Sequence, residues 1–104
     1  MLLGQELRRL VAVCEEALAE YAGIDSDACR DGANLVLLAV AAFQTVIATT
    51  EGDPWHEARL AIAATLGRNG AAVIGCQGGV ESLSRCAAAC EEAARLCDSA
   101  LCSN

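Results

Sequence analysis

Three short breaks divide this chain into four stretches of similar length, and few folds accommodate that division. Gly23 with Asp25 and Ser26 marks the first break, Gly52 with Asp53 and Pro54 the second, and Gln77, Gly78 and Gly79 the third. Between the breaks, apolar residues return at helical spacing. In the first stretch they are Leu7, Leu10, Val11, Cys14, Leu18 and Tyr21, which line one face at 3.6 residues per turn. The expected helices cover roughly residues 3–22, 27–50, 54–76 and 80–101. Asp53 as N-cap, Pro54 at the first helical position and Glu57 in the first turn open the third helix. Gly67, Gly70 and Gly75 weaken that helix and predict kinks or fraying. Four helices with three short connections predict a single all-α domain, an antiparallel up-down-up-down four-helix bundle.

The core of such a bundle must be built from small side chains. The chain is 55% hydrophobic, yet Tyr21, Phe43 and Trp55 are its only aromatics, so alanine, leucine, valine and cysteine fill the interior. Trp55 is expected as a lid on that core. The net charge is −7, there is no lysine, and the seven arginines form no stripe. That field opposes nucleic acid and anionic membrane surfaces as partners. The opening MLLGQELRRLVAV lacks a basic segment followed by an unbroken apolar run. It is read as no signal peptide, which implies a reducing, cytoplasmic setting. Residues 32–50 carry no charge over about the length of a membrane span. Asn34, Gln44 and three threonines interrupt them, and no positive flank orients them. The expectation is a helix buried on most sides, with part of it at the interface of a homo-oligomer.

Seven cysteines are an odd number, which fits a disulfide framework poorly and leaves ligation, reactivity or core filling. The bundle topology brings the end of helix 1, the start of helix 2, the end of helix 3 and the start of helix 4 to one pole. Cys29 and Cys76 fall close to that pole, and Cys14, Cys86 and Cys90 lie ~9–15 Å inward by the helical rise. Five thiols are thus expected to converge. Cys86 and Cys90 are one turn apart on one face, with Cβ atoms ~6 Å apart. Cys97 returns to the same stripe after three turns, and Ala93 lies on it too. Thiolates select Cu(I), zinc or iron–sulfur clusters. Zinc and iron–sulfur are poorly served, because the chain contains no C-x-x-C pair. Cu(I) accepts two or three thiolates. The candidate metal ligands are therefore Cys86, Cys90, Cys14, Cys29, Cys76 and Cys97, with core filling as the other reading of each. Cys102 points elsewhere. His56, the only histidine, is read as a solvated residue at a helix start, and the pairs Glu15–Glu16 and Glu91–Glu92 as solvated faces. No phosphate loop and no histidine beside a cysteine is present, so no enzyme is expected.

The stretch SRCAAACEEAARLCDS resembles the last helix of the cysteine-rich four-helix-bundle copper-storage proteins, whose helices carry C-x-x-x-C-x-x-C-x-x-x-C. Cys86, Cys90 and Cys97 fall on that pattern, with Ala93 at the third cysteine. DACRDGANLVLLA is similar to the family's second helix; Cys29 matches, and Gly32 and Val36 stand in for thiols. On helix 1 Cys14 matches, with Leu10, Ala17 and Tyr21 at the other positions. On helix 3 Cys76 matches, while Thr65, Asn69 and Ala72 do not. The resemblance, over roughly residues 10–101, implies a Cu(I)-binding, homo-oligomeric bundle of reduced capacity. The alternative is an interaction module whose metal function has lapsed and whose cysteines only fill the core.

Overall fold

A computed structural model of the chain describes residues 3–21, 27–49, 52–75 and 81–102. Four helices account for nearly all of them: α1 Leu3–Tyr21, α2 Asp27–Ala48, α3 His56–Gly75 and α4 Glu81–Cys102. α1 packs on α2 and α4, and α3 packs on the same two helices; the diagonals scarcely meet. That closed ring is the antiparallel four-helix bundle the breaks predict. Its two short dimensions, 19 and 17 Å, are those of two helices side by side in each direction at an axial spacing of ~8–10 Å.

The ends of the helices follow from local chemistry. At the end of α2 the Thr45 hydroxyl donates to the Ala42 carbonyl at 2.7 Å. The Thr49 hydroxyl and Thr49 N–H both donate to the Val46 carbonyl, at 3.1 and 3.2 Å. Side chains that compete in this way for carbonyls favour a tightened last turn and a stop. Before α3, Asp53 caps as expected, its carboxylate accepting from the Trp55 N–H at 2.7 Å. Trp55 itself is 66% exposed and covers no core, contrary to the lid expected of it. The tight turn at Asp53–Trp55 precedes α3, and Trp55 projects from it before the inward face of the helix begins.

One interior face per helix supplies the core. Leu7, Leu10, Val11, Cys14 and Ala17 come from α1, and Val36, Ala39, Val40, Phe43 and Val46 from α2. Leu60, Ala63, Ala64, Ala71 and Ile74 come from α3, and Cys86, Ala89, Cys90, Ala93, Ala94 and Cys97 from α4. α2 is less enclosed than its uncharged sequence suggests. Leu37 and Leu38 are more than half exposed. In a ring of four helices every member has an outward face, so none can be buried on most sides. The stretch Asp31–Ala48 is long and apolar enough to cross a membrane by length and composition, and 39% of it is buried in the bundle.

The glycines of α3 do not break it. α3 runs without interruption past Gly67 and Gly70, and both are buried. A Cβ at Gly67 would stand 2.7 Å from the Phe43 ring tip, 3.0 Å from the Cys90 carbonyl oxygen and 3.2 Å from the Ala94 Cβ. Gly67 is therefore the point where α3 closes onto the Cys90 turn of α4. At Gly70 the nearest atoms are 3.8–3.9 Å away, an ordinary contact. Opposite outcomes are expected from one substitution. Gly70→Ala should raise unfolding free energy by roughly 0.5–1 kcal/mol through helix propensity. Gly67→Ala should lower it by roughly 1–3 kcal/mol, because a backbone carbonyl and a buried ring must give way. Urea titration of the two variants beside the parent chain checks both signs.

Candidate metal centre

α1 contributes one thiol to the interior and α4 contributes three. Cys14 is the fourth core residue of α1, and Cys86, Cys90 and Cys97 follow one another along α4 with exposures of 0%. The alanines around them let the two helices approach closely enough for sulfur to meet sulfur across the interface. Cys14 Sγ lies 3.7 Å from Cys90 Sγ, a contact between residues 76 apart in the chain. With Cys86, these sulfurs form a group of three within 4.8 Å of one another, all buried. Three convergent, solvent-excluded thiols can hold a metal ion.

The electrostatics of the group are those of a single shared site. The Cys86 thiol is lowered because the Cys14 and Cys90 S–H groups donate to its thiolate, which outweighs the opposing effect of burial. The same contacts hold the other two protonated. The Cys14 thiol is pushed up to about 12, chiefly by its contact with Cys86, with desolvation and the Glu15 carboxylate adding to the effect. Cys90 is raised by Cys14, Cys86 and burial. The first proton leaves the trio readily, and the others leave only when a cation compensates them.

Cys97 lies seven residues beyond Cys90, ~10 Å along α4 by the helical rise, and outside the group of three. Burial, with a smaller effect of the Asp98 carboxylate, pushes its thiol up to about 11 from 9.0. The folded chain therefore keeps a proton that the unfolded chain releases above pH 9, so stability falls as pH rises from 9 toward 11. Cys14 and Cys90 act in the same direction. Cys86, shifted the other way, contributes stability that grows with pH up to 9 and is constant beyond it. The share of Cys97 is about 2 kcal/mol by pH 11. Urea midpoints across this range should decline, and less steeply in Cys97→Ala.

Cys76 and the side chain of Cys29 lie outside the described residues. Their expected place in the cluster is therefore not part of the observed geometry. Cys102 is exposed. Of the positions that stand in for thiols in the sequence pattern, Leu10, Ala17, Gly32, Val36 and Ala93 are buried. On α3 the pattern does not face inward: Thr65, Asn69 and Ala72 are exposed, and the interior belongs to Ala63, Ala64, Gly67 and Ala71.

Away from the trio, His56 is half-buried, and its Nδ1 is enclosed without a hydrogen-bond partner among the described residues. It is not the solvated residue its place at a helix start suggests. Glu15, Glu16 and Glu91 are exposed, and Glu92 pairs with Arg95 on the surface of α4. Arg68 of α3 reaches Asp98 of α4, an exposed ion pair that adds little stability. In the sequence Gly67 reads only as a weak point of the helix, because a glycine inside a helical pattern carries no sign of what it approaches.

No family model, curated protein or solved structure matches this chain.

Proposed function

We propose that this protein is a small Cu(I)-binding bundle that holds its ion at Cys14, Cys86 and Cys90. The convergence of three buried thiols from two helices is the observation that carries this reading. With metal–sulfur bonds of ~2.3 Å, three sulfurs around one ion in a plane are ~4.0 Å apart. The contact of 3.7 Å and the limit of 4.8 Å bracket that spacing. Soft thiolates favour Cu(I), which is satisfied by two or three of them. A structural zinc ion takes four ligands, and no fourth donor joins the group among the described residues. Ala17 and Ala93 occupy buried neighbouring positions without a donor atom, so the capacity is a single small centre rather than a copper-lined core. The resemblance of α4 to the copper-storage bundles supports the same ion.

An anaerobic titration of the reduced protein against a chromophoric Cu(I) chelator tests this reading. Withdrawal of one equivalent of copper per chain is the expected result. If the chelator keeps all the copper, the thiols are core filling and the interaction-module reading replaces this one. That second reading has its own observation: from Asn34 to Ala48 the outward face of α2 carries no charge and displays Leu37 and Leu38. On either reading, that face is where copies of an otherwise acidic chain would associate.

A further inference from the structure

Among the described residues, the trio has three donors and no positive charge acts on it. Cys14, Cys86 and Cys90 are 0–1% exposed, and the outside charge acting on Cys14 is the Glu15 carboxylate, itself negative. Once all three S–H donors are spent on bonding an ion, a net charge left there has no water and, among the described residues, no counterion to stabilise it. Three thiolates around a monovalent ion leave two negative charges, and around a divalent ion they leave one. Around a trivalent ion they leave none. An ion that stops at three sulfurs also needs no fourth donor, and none is present among the described residues.

We infer that Cys14, Cys86 and Cys90 form a binding site for trivalent arsenic, taken up as arsenous acid. The inference shares its three residues with the Cu(I) reading and depends on their being one soft-ion site, but not on copper. Uptake is a condensation without electron transfer. Three S–H bonds and the three As–O bonds of arsenous acid break, three As–S bonds form, and three waters leave. Where Cys86 is already a thiolate, one proton from solvent completes the third water. A pyramidal trithiolate with bonds of ~2.3 Å and angles close to a right angle has sulfurs ~3.3 Å apart. The sulfurs, 3.7 Å apart for Cys14 and Cys90 and all within 4.8 Å of one another, must draw together to reach that value.

The full reduced chain, titrated anaerobically with sodium arsenite, provides the test through intact mass and near-ultraviolet absorbance. The expected product has one arsenic per chain, with a mass gain of one arsenic less three hydrogens. An adduct that retains a hydroxyl on arsenic has captured only two thiols and overturns the inference, as does the absence of any adduct. Cys14→Ser and Cys90→Ser should each lose the trithiolate, while Cys97→Ser should keep it. Retention in Cys14→Ser would move the site elsewhere and refute the assignment. Helical circular dichroism of each variant separates ligand loss from unfolding; the adduct mass of the parent chain shows whether three thiols are captured, and the variants show which. A chain that withdraws Cu(I) but forms no arsenic trithiolate keeps the copper reading and loses this one. A chain that fails both has no soft-ion site.

Discussion

Cys86→Ala combined with Cys90→Ala should leave a chain that withdraws no copper from the chelator. The two residues supply both α4 ligands, and Cys14 alone cannot hold Cu(I) against a competing chelator. Two single variants separate a thiol inside the group of three from one outside it. Cys14→Ala should weaken binding by more than the ~10–100-fold that follows loss of an outer-shell partner, because it removes a directly bonding sulfur. Cys97→Ala should leave affinity unchanged, since Cys97 stands outside the group of three. Both are alanine substitutions of fully buried cysteines, so their similar cost in packing serves as an internal control. Unchanged affinity in Cys14→Ala together with a loss in Cys97→Ala would mean that copper lies along α4 rather than between α4 and α1. Titrations of the four proteins under one set of conditions make the comparison.

The largest effect on stability is expected from Phe43→Ala, at about 3–5 kcal/mol, a substantial part of the ~5–15 kcal/mol that holds a domain together. Phe43 is 1% exposed and is the largest fully buried side chain. The rest of the core is mainly alanine, valine, leucine and cysteine, which cannot collapse into the space of a phenyl ring. The ring also meets α3 at Gly67, where a new Cβ would stand 2.7 Å from it. Phe43 and Gly67 should therefore couple. Gly67→Ala should cost less in a Phe43→Leu background than in the parent chain, because the shorter side chain withdraws the atom in the way. A double-mutant cycle in urea measures this, and additive costs would place the strain of Gly67→Ala on the Cys90 carbonyl alone.

The fold was legible because its signals are local and agree with one another. The sequence breaks at Gly23, Gly52 and Gly78–Gly79 fall between the observed helices, Asp53 caps one, and the apolar residues between the breaks keep one period. The candidate centre was legible by a longer route. The spacing of Cys86 and Cys90 put two thiols on one face, and the topology put Cys14 opposite them. What could not be read is what depends on rotation of a helix about its own axis. α3 is apolar or small on several sides, so nothing in its sequence says that Ala63, Gly67 and Ala71 face inward rather than Thr65, Asn69 and Ala72. Trp55 and His56 were misjudged for a related reason. At the first turn of a helix, a shift of one residue swings a side chain by about 100°, between open solvent and the bundle.

The trio joins the first helix to the last, and this has a consequence for how such a site could be loaded. Contacts that link residues 76 apart are among the last that a growing chain can make. Emerging from a ribosome, the chain would expose Cys14 long before either sulfur of α4 had been synthesised. Until residue 90 is free there is no site, only one thiol among many competitors. On the metal-binding reading, loading would be confined to the finished molecule, and the energy of binding would go into closing the seam between the helix made first and the helix made last. A captured ion would act as a clasp on that seam, stabilising the folded chain by binding it and not the unfolded one.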